Sequence, residues 1–112
     1  MNKMNPAVKK EWVAKLRSGK YKQGKGTLRC IPYTSTDIHY CCLGVMCLVK
    51  AKMCKQSVEK VFISQKLEIG ALSDATLKWA MLDKEIQKKL TDMNDISGCS
   101  FRSIASYIER YL

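Results

Sequence analysis

The longest stretch of the chain without Asp, Glu, Lys or Arg runs for 12 residues, from Ile38 to Val49. It is too short to cross a bilayer, which takes about 20 apolar residues, and too apolar to lie on a surface. Within it Cys42, Val45, Met46 and Val49 recur at helical spacing, and Leu43 and Cys47 widen the stripe. A buried helix is therefore expected from about Tyr40 to about Lys55, with the rest of the chain packed around it.

The flanking segments supply amphipathic partners. Asn5-Pro6 joins a good N-cap to a residue suited to the first helical position. Val8, Trp12, Val13 and Leu16 then form one apolar face, with Lys9, Lys10, Lys15 and Arg17 outside it and Gly19 as the stop. Downstream, Ser73 caps a helix from Asp74 to Leu82 without a full capping box, and Asp83 caps one reaching about Ile96. Gly98 ends that helix, and Ser100 caps the last, whose stripe is Phe101, Ile104, Ala105, Ile108 and Leu112. Thr27 to Tyr33 reads as a short strand limited to a sheet edge by Pro32. Val58 to Ser64, β-branched and aromatic, reads as its hairpin partner. The expectation is one α+β domain over residues 1–112, mostly helical, with a short β-hairpin.

Charge is unevenly placed. The net charge is +10, and the first 30 residues hold nine basic groups against Glu11 alone, which is +8. An acidic nucleic-acid mimic is excluded, and phosphate-bearing partners become the default. Met1 to Lys10 is polar and basic with no apolar run behind it, so no signal peptide or membrane segment is expected. Without an export signal, the six cysteines read as free thiols in a cytosolic protein.

Gly19-Lys20-Tyr21-Lys22-Gln23-Gly24-Lys25 fits the start of the phosphate-loop pattern GxxxxGK[ST], but Gly26 stands where the magnesium-binding hydroxyl belongs. A helix also precedes the loop where a strand is required. Two readings remain: backbone N–H groups and cations gathered around an anion, or a solvated basic turn. Cys41, Cys42, Cys47 and Cys54 offer no C-x₂-C pair, and His39 is the one histidine, so these cysteines read as small buried hydrophobes rather than zinc ligands. A catalytic thiol would need His39 as its base, and the sequence shows no such geometry. Asp92, Asn94 and Asp95 would suit an acid–base or metal pair, but local bonds to the turn into the last helix explain them better. Tyr21, Tyr33 and Tyr40 flank basic residues and suit stacking on a base. The last two helices form a poor helix-turn-helix, since the final one carries only Arg102 and Arg110 as basic groups.

Three blocks together resemble a family of small proteins from tailed bacteriophages and prophages. They are Trp12…Leu16-Arg17-Ser18-Gly19…Tyr21…Gln23-Gly24…Leu28, then Tyr40-Cys41-Cys42-Leu43-Gly44-Val45…Cys47, then Met93-Asn94-Asp95…Ser100-Phe101…Ile104-Ala105…Ile108-Glu109. Met46 and Met93 stand where that pattern has Leu, and the step from Asp95 to Ser100 is longer. The resemblance implies a phage accessory protein in the host bacterial cytoplasm, of the kind that blunts host defences.

The combined expectation is a non-enzymatic, homo-oligomeric protein that needs no cofactor and captures a nucleotide or another phosphate-bearing ligand. Arg17 and Lys25 would bind phosphate, with Lys20 and Arg29 as further cations. Tyr21 would stack on a base, Gln23 would read a base edge and Gly24 would let the backbone approach. The alternatives are non-specific DNA or RNA binding through the same basic face, or inhibition of an acidic host protein.

Overall fold

The computed structural model describes residues 3–66 and 70–112. The helix expected from the charge-free stretch is its centre: α2 (Cys42–Met53) buries every residue from Cys42 to Cys47, then Val49 and Ala51. α1 (Pro6–Arg17) packs across it. Asn5 Oδ1 accepts from the Ala7 and Val8 amides, and Val8, Trp12, Val13 and Leu16 point inward. Trp12 Nε1 donates to the Cys42 carbonyl at 2.9 Å, so the largest core side chain also pins α1 to the start of α2.

The remaining helices close the shell. α3 is Val58–Ile63, α4 Asp74–Ala80, α5 Lys84–Asp95 and α6 Phe101–Tyr111. Ser73, Asp83 and Ser100 cap α4, α5 and α6 as expected, each accepting from the amide three residues on. α6 lies along α1, and the Met4 amide donates to the Leu112 carbonyl where the chain ends meet. No helix among the described residues is long and apolar enough to cross a membrane. The mostly helical α+β class holds.

The β structure differs from the expectation. Val58–Ile63 is helix, not strand. Ser57 accepts from the Lys60 amide, Glu59 sits in the first turn, and adjacent Val61 and Phe62 are both buried. Strand alternation would expose one of that pair, so tertiary burial overrides the local β preference. The sheet has three two-residue strands: β1 (Lys22–Gln23), β2 (Arg29–Cys30) and β3 (His39–Tyr40). β3 is central, parallel to β1 and antiparallel to β2. The hairpin partner of the Thr27–Tyr33 segment is thus His39–Tyr40, and the glycine-rich segment that read as a loop contains a strand.

Gly44 explains the approach of sheet to helix. A Cβ there would lie 1.9 Å from the Leu28 carbonyl oxygen, so only glycine lets α2 pass this close to the backbone before β2.

Candidate functional site

β1, β3 and the residues just before each line a shallow groove of about 400 Å³: Lys20, Tyr21, Lys22, Asp37, Ile38 and Tyr40. Tyr21 and Tyr40 meet edge to face at 5.9 Å, a favoured aromatic geometry. Tyr40 in turn packs on Phe62 at 6.1 Å, which anchors the pair to the core. Lys15 Nζ donates to Tyr21 Oη at 3.4 Å and stands 5.7 Å from the ring centroid. Lys22 Nζ donates to Asp37 at 2.6 Å. That hydrogen bond, and then the ammonium charge, hold the Asp37 carboxyl below its ordinary value. Burial pushes the Tyr40 phenol up, with the nearby Arg29 charge opposing. The groove thus presents aromatic surface beside the Lys20 and Lys22 ammonium groups, with Lys15 bonded to Tyr21, and one carboxylate that is already paired.

The seven residues singled out from the sequence are spread over the molecule. Lys20 and Tyr21 line the groove. Lys25 is exposed on the loop after β1. Arg17 lies at the end of α1, forked onto Glu109 of α6 at 2.9 and 3.2 Å. Arg29 donates to Glu59 at 2.9 Å and stacks 4.1 Å from the Phe62 ring centroid, next to a second cleft lined with Cys30, Ile31, Ile38 and Glu59.

Gln23 and Gly24 form the scaffold beneath. Gln23 Nε2 donates to Asn94 Oδ1 and to the Cys99 carbonyl, while Gln23 Oε1 accepts from the Phe101 amide. Its amide therefore ties the sheet to the turn between α5 and α6. The Gly24 amide donates to the Tyr40 carbonyl, and a Cβ on Gly24 would sit 3.0 Å from that of His39. The close approach at Gly24 is to β3.

Asn94 is fully buried, and apart from the adjacent Asp95 its side-chain partners are distant rather than local. Oδ1 accepts from Gln23 and from the Cys42 amide, and Nδ2 donates to the Gly24 carbonyl and to Asp95. Cys41, at the N-cap of α2, makes no side-chain cap bond. Asn94 therefore satisfies from across the core a donor that the local sequence leaves open.

Cys41, Cys42 and Cys47 behave as the small buried hydrophobes expected, whereas Cys54, expected with them, is exposed at the end of α2. Cys41, Cys42 and Cys47 are buried, and all six are free. Burial pushes the Cys41 thiol up to about 11 and Cys47 to about 12, and Cys42 also well above its ordinary value. None of these three is an activated nucleophile. No group of three or more His, Cys, Asp and Glu side chains among the described residues is placed to hold a metal. His39 Nε2 is buried without a partner among the described residues.

Sequence reasoning missed Asp37 and Ile38, and it noted Lys22 and Tyr40 without placing them together. The signal was slight, since β3 is only two residues long. A family profile described as Domain of unknown function (DUF8296) matches residues 4–112, from the turn before α1 to the end of α6. The chain belongs to this family. The DUF8296 match covers the groove, Asn94 with its partners and the six helices among the described residues. No curated protein and no solved structure matches the chain.

Proposed function

We propose that this DUF8296 protein is a non-enzymatic binding protein that captures a nucleotide through the groove between β1 and β3. The observation that carries the reading is a groove lined by Lys20 and Lys22 together with the Tyr21–Tyr40 pair, with Lys15 bonded to Tyr21. Ammonium groups beside an aromatic face suit a ligand with a phosphate at one end and a flat base at the other. Lys20 and Lys22 take the phosphate, and the ligand's charge replaces Asp37 as the partner of Lys22. Tyr21 offers the stacking face, while Gln23 and Gly24 hold the strand that presents it. Arg17 and Arg29, each committed to a carboxylate, stand outside this site. Asp37 is already paired with Lys22, and burial keeps the Cys41, Cys42 and Cys47 thiols protonated, which favours capture over turnover. In the phage setting that the sequence resemblance implies, capture withdraws a nucleotide signal from host defence.

The +8 of the first 30 residues supports a second reading, DNA or RNA binding through the same face. Calorimetric titration with nucleoside triphosphates, cyclic dinucleotides and duplex DNA over a range of salt separates them. A nucleotide bound in the groove gives a shallow salt dependence and loses affinity at least about tenfold in Lys20→Glu/Lys22→Glu. A steep slope that counts several phosphates identifies nucleic acid instead. Nucleotide binding that survives the double substitution overturns the site.

A further inference from the structure

A second basic surface lies along the seam of α1 and α6, and the groove reading makes no use of it. Its first cleft, about 400 Å³, has Pro6, Val13 and Ala14 as an apolar floor and Lys9, Lys10 and Arg17 at its rim. A second cleft of the same size shares Pro6 and Lys9 and adds Lys3, Arg110 and the half-exposed ring of Tyr111. Together the two clefts carry five basic side chains. Glu109 is the one acidic side chain among their described lining residues, and Arg17 holds it in a two-pronged ion pair. The Arg17 hydrogen bonds, and then its charge, lower the Glu109 carboxyl, with Lys9 adding to the effect.

We propose that this seam docks an acidic segment of a partner protein, with one aliphatic side chain seated on Pro6, Val13 and Ala14 and flanking carboxylates on Lys9 and Lys10. Charge complementarity selects the acidic chain. The apolar floor selects a peptide over a nucleic acid, because a phosphate backbone is bound by cations and polar groups and gains nothing from an aliphatic pocket. The floor also supplies the desolvated anchor point that a rim of solvated lysines does not.

The test is a titration of ¹⁵N-labelled protein, followed by amide shifts, with a short peptide in which one leucine is flanked by aspartates. A second peptide carries serine in place of the leucine, and a DNA duplex serves as the third probe. Saturable shifts at Lys10, Val13 and Ala14, about tenfold weaker in affinity with the serine peptide, are expected. Ala14→Glu places a carboxylate on an exposed floor position, and it should abolish the peptide shifts while nucleotide binding at Lys20 and Lys22 persists. Lys10→Glu gives a second exposed variant with the same expected loss. Three results overturn the proposal: no shifts at the seam, equal affinity for both peptides, or tighter binding of the duplex than of the leucine peptide at these residues.

Discussion

Gln23 Nε2 donates to Asn94 Oδ1 at 2.9 Å, joining a strand near one end of the chain to a helix 71 residues away. The same Asn94 oxygen receives the Cys42 amide at 3.2 Å, and its nitrogen reaches the Gly24 carbonyl at 2.8 Å. One buried amide therefore sets the relative position of β1, the start of α2 and the end of α5. Asn94→Leu leaves the Cys42 amide, the Gly24 carbonyl and one arm of Gln23 without partners in a closed core. At about 1–3 kcal/mol for a buried group left unpaired, and with some relaxation, a loss of about 3 kcal/mol is expected. Urea unfolding measures it. A loss under about 1 kcal/mol would mean that water replaces Asn94 and that the hub is not structural.

Gly44 is the second position where substitution should be severe. An added Cβ meets the Leu28 carbonyl oxygen at 1.9 Å and its carbon at 2.9 Å, both backbone atoms that no rotamer change can move. The Cys41 amide donates to that same carbonyl at 3.2 Å, so displacing it also breaks a backbone bond. Gly44→Ala should cost about 3 kcal/mol or more, although alanine is the better helix former by about 1 kcal/mol. Thermal melting of this variant beside Ala14→Gly, an exposed site on α1, separates the clash from helix propensity. A Gly44→Ala protein as stable as the parent would refute the contact.

Every described helix except α3 was legible, α1, α4, α5 and α6 from their caps and α2 from its apolar spacing. Asn5, Ser73, Asp83 and Ser100 announce their caps, and the apolar stripes repeat over at least two turns. Of the sheet only β2 was legible, inside the Thr27–Tyr33 segment; β1 and β3 were not, because two-residue strands have no periodicity to read and are held by outside contacts such as Gln23 with the Phe101 amide. Val58–Ile63 misled for the opposite reason: its residue types favour strand, while burial of the adjacent Val61–Phe62 pair decides for helix. In the candidate site, Lys20 and Tyr21 were found because charge and aromatic character are visible in a sequence. Asp37 and Ile38 were not, since only the parallel pairing of β1 with β3 brings them across. Asn94 was seen as a residue that hydrogen-bonds backbone, but the sequence holds no record of partners as distant as Gly24 and Cys42.

The buried thiols give an alkaline signature. Cys41 is raised to about 11 and Cys47 to about 12 chiefly by burial, while in the unfolded chain both ionise near the ordinary thiol value of about 8.5. Their protonated forms are favoured in the folded state. Their contribution to stability is therefore complete below about pH 8.5 and falls as pH rises through the window up to the folded-state values. In Cys47→Ala the packing loss is constant but the alkaline loss is reduced, so the stability gap to the parent should narrow between about pH 8 and about pH 10.5. Denaturant midpoints across that range check it. An unchanged gap would mean that the Cys47 thiol titrates alike in both states. Alkylation followed by mass spectrometry should independently label exposed Cys54 well before Cys41, Cys42 and Cys47.

The Arg17–Glu109 fork should show the reverse pH dependence at the acid end. Glu109 is held below its ordinary value by the Arg17 hydrogen bonds, so its contribution is present above the unfolded-state value of about 4.3 and disappears as pH falls through the folded one. The pair is exposed, with 39% and 59% of the two side chains accessible, so the contribution is small and screened by salt. Arg17→Gln should therefore melt slightly below the parent at neutral pH and low salt, and together with it near pH 2 or in about 1 M salt. Because Arg17 lies outside the groove, the same variant should bind nucleotide as the parent does. A Tm gap that persists in acid would show that Arg17 acts through packing on α6 rather than through the carboxylate. Loss of nucleotide binding in Arg17→Gln would move the anion site from the groove to the end of α1.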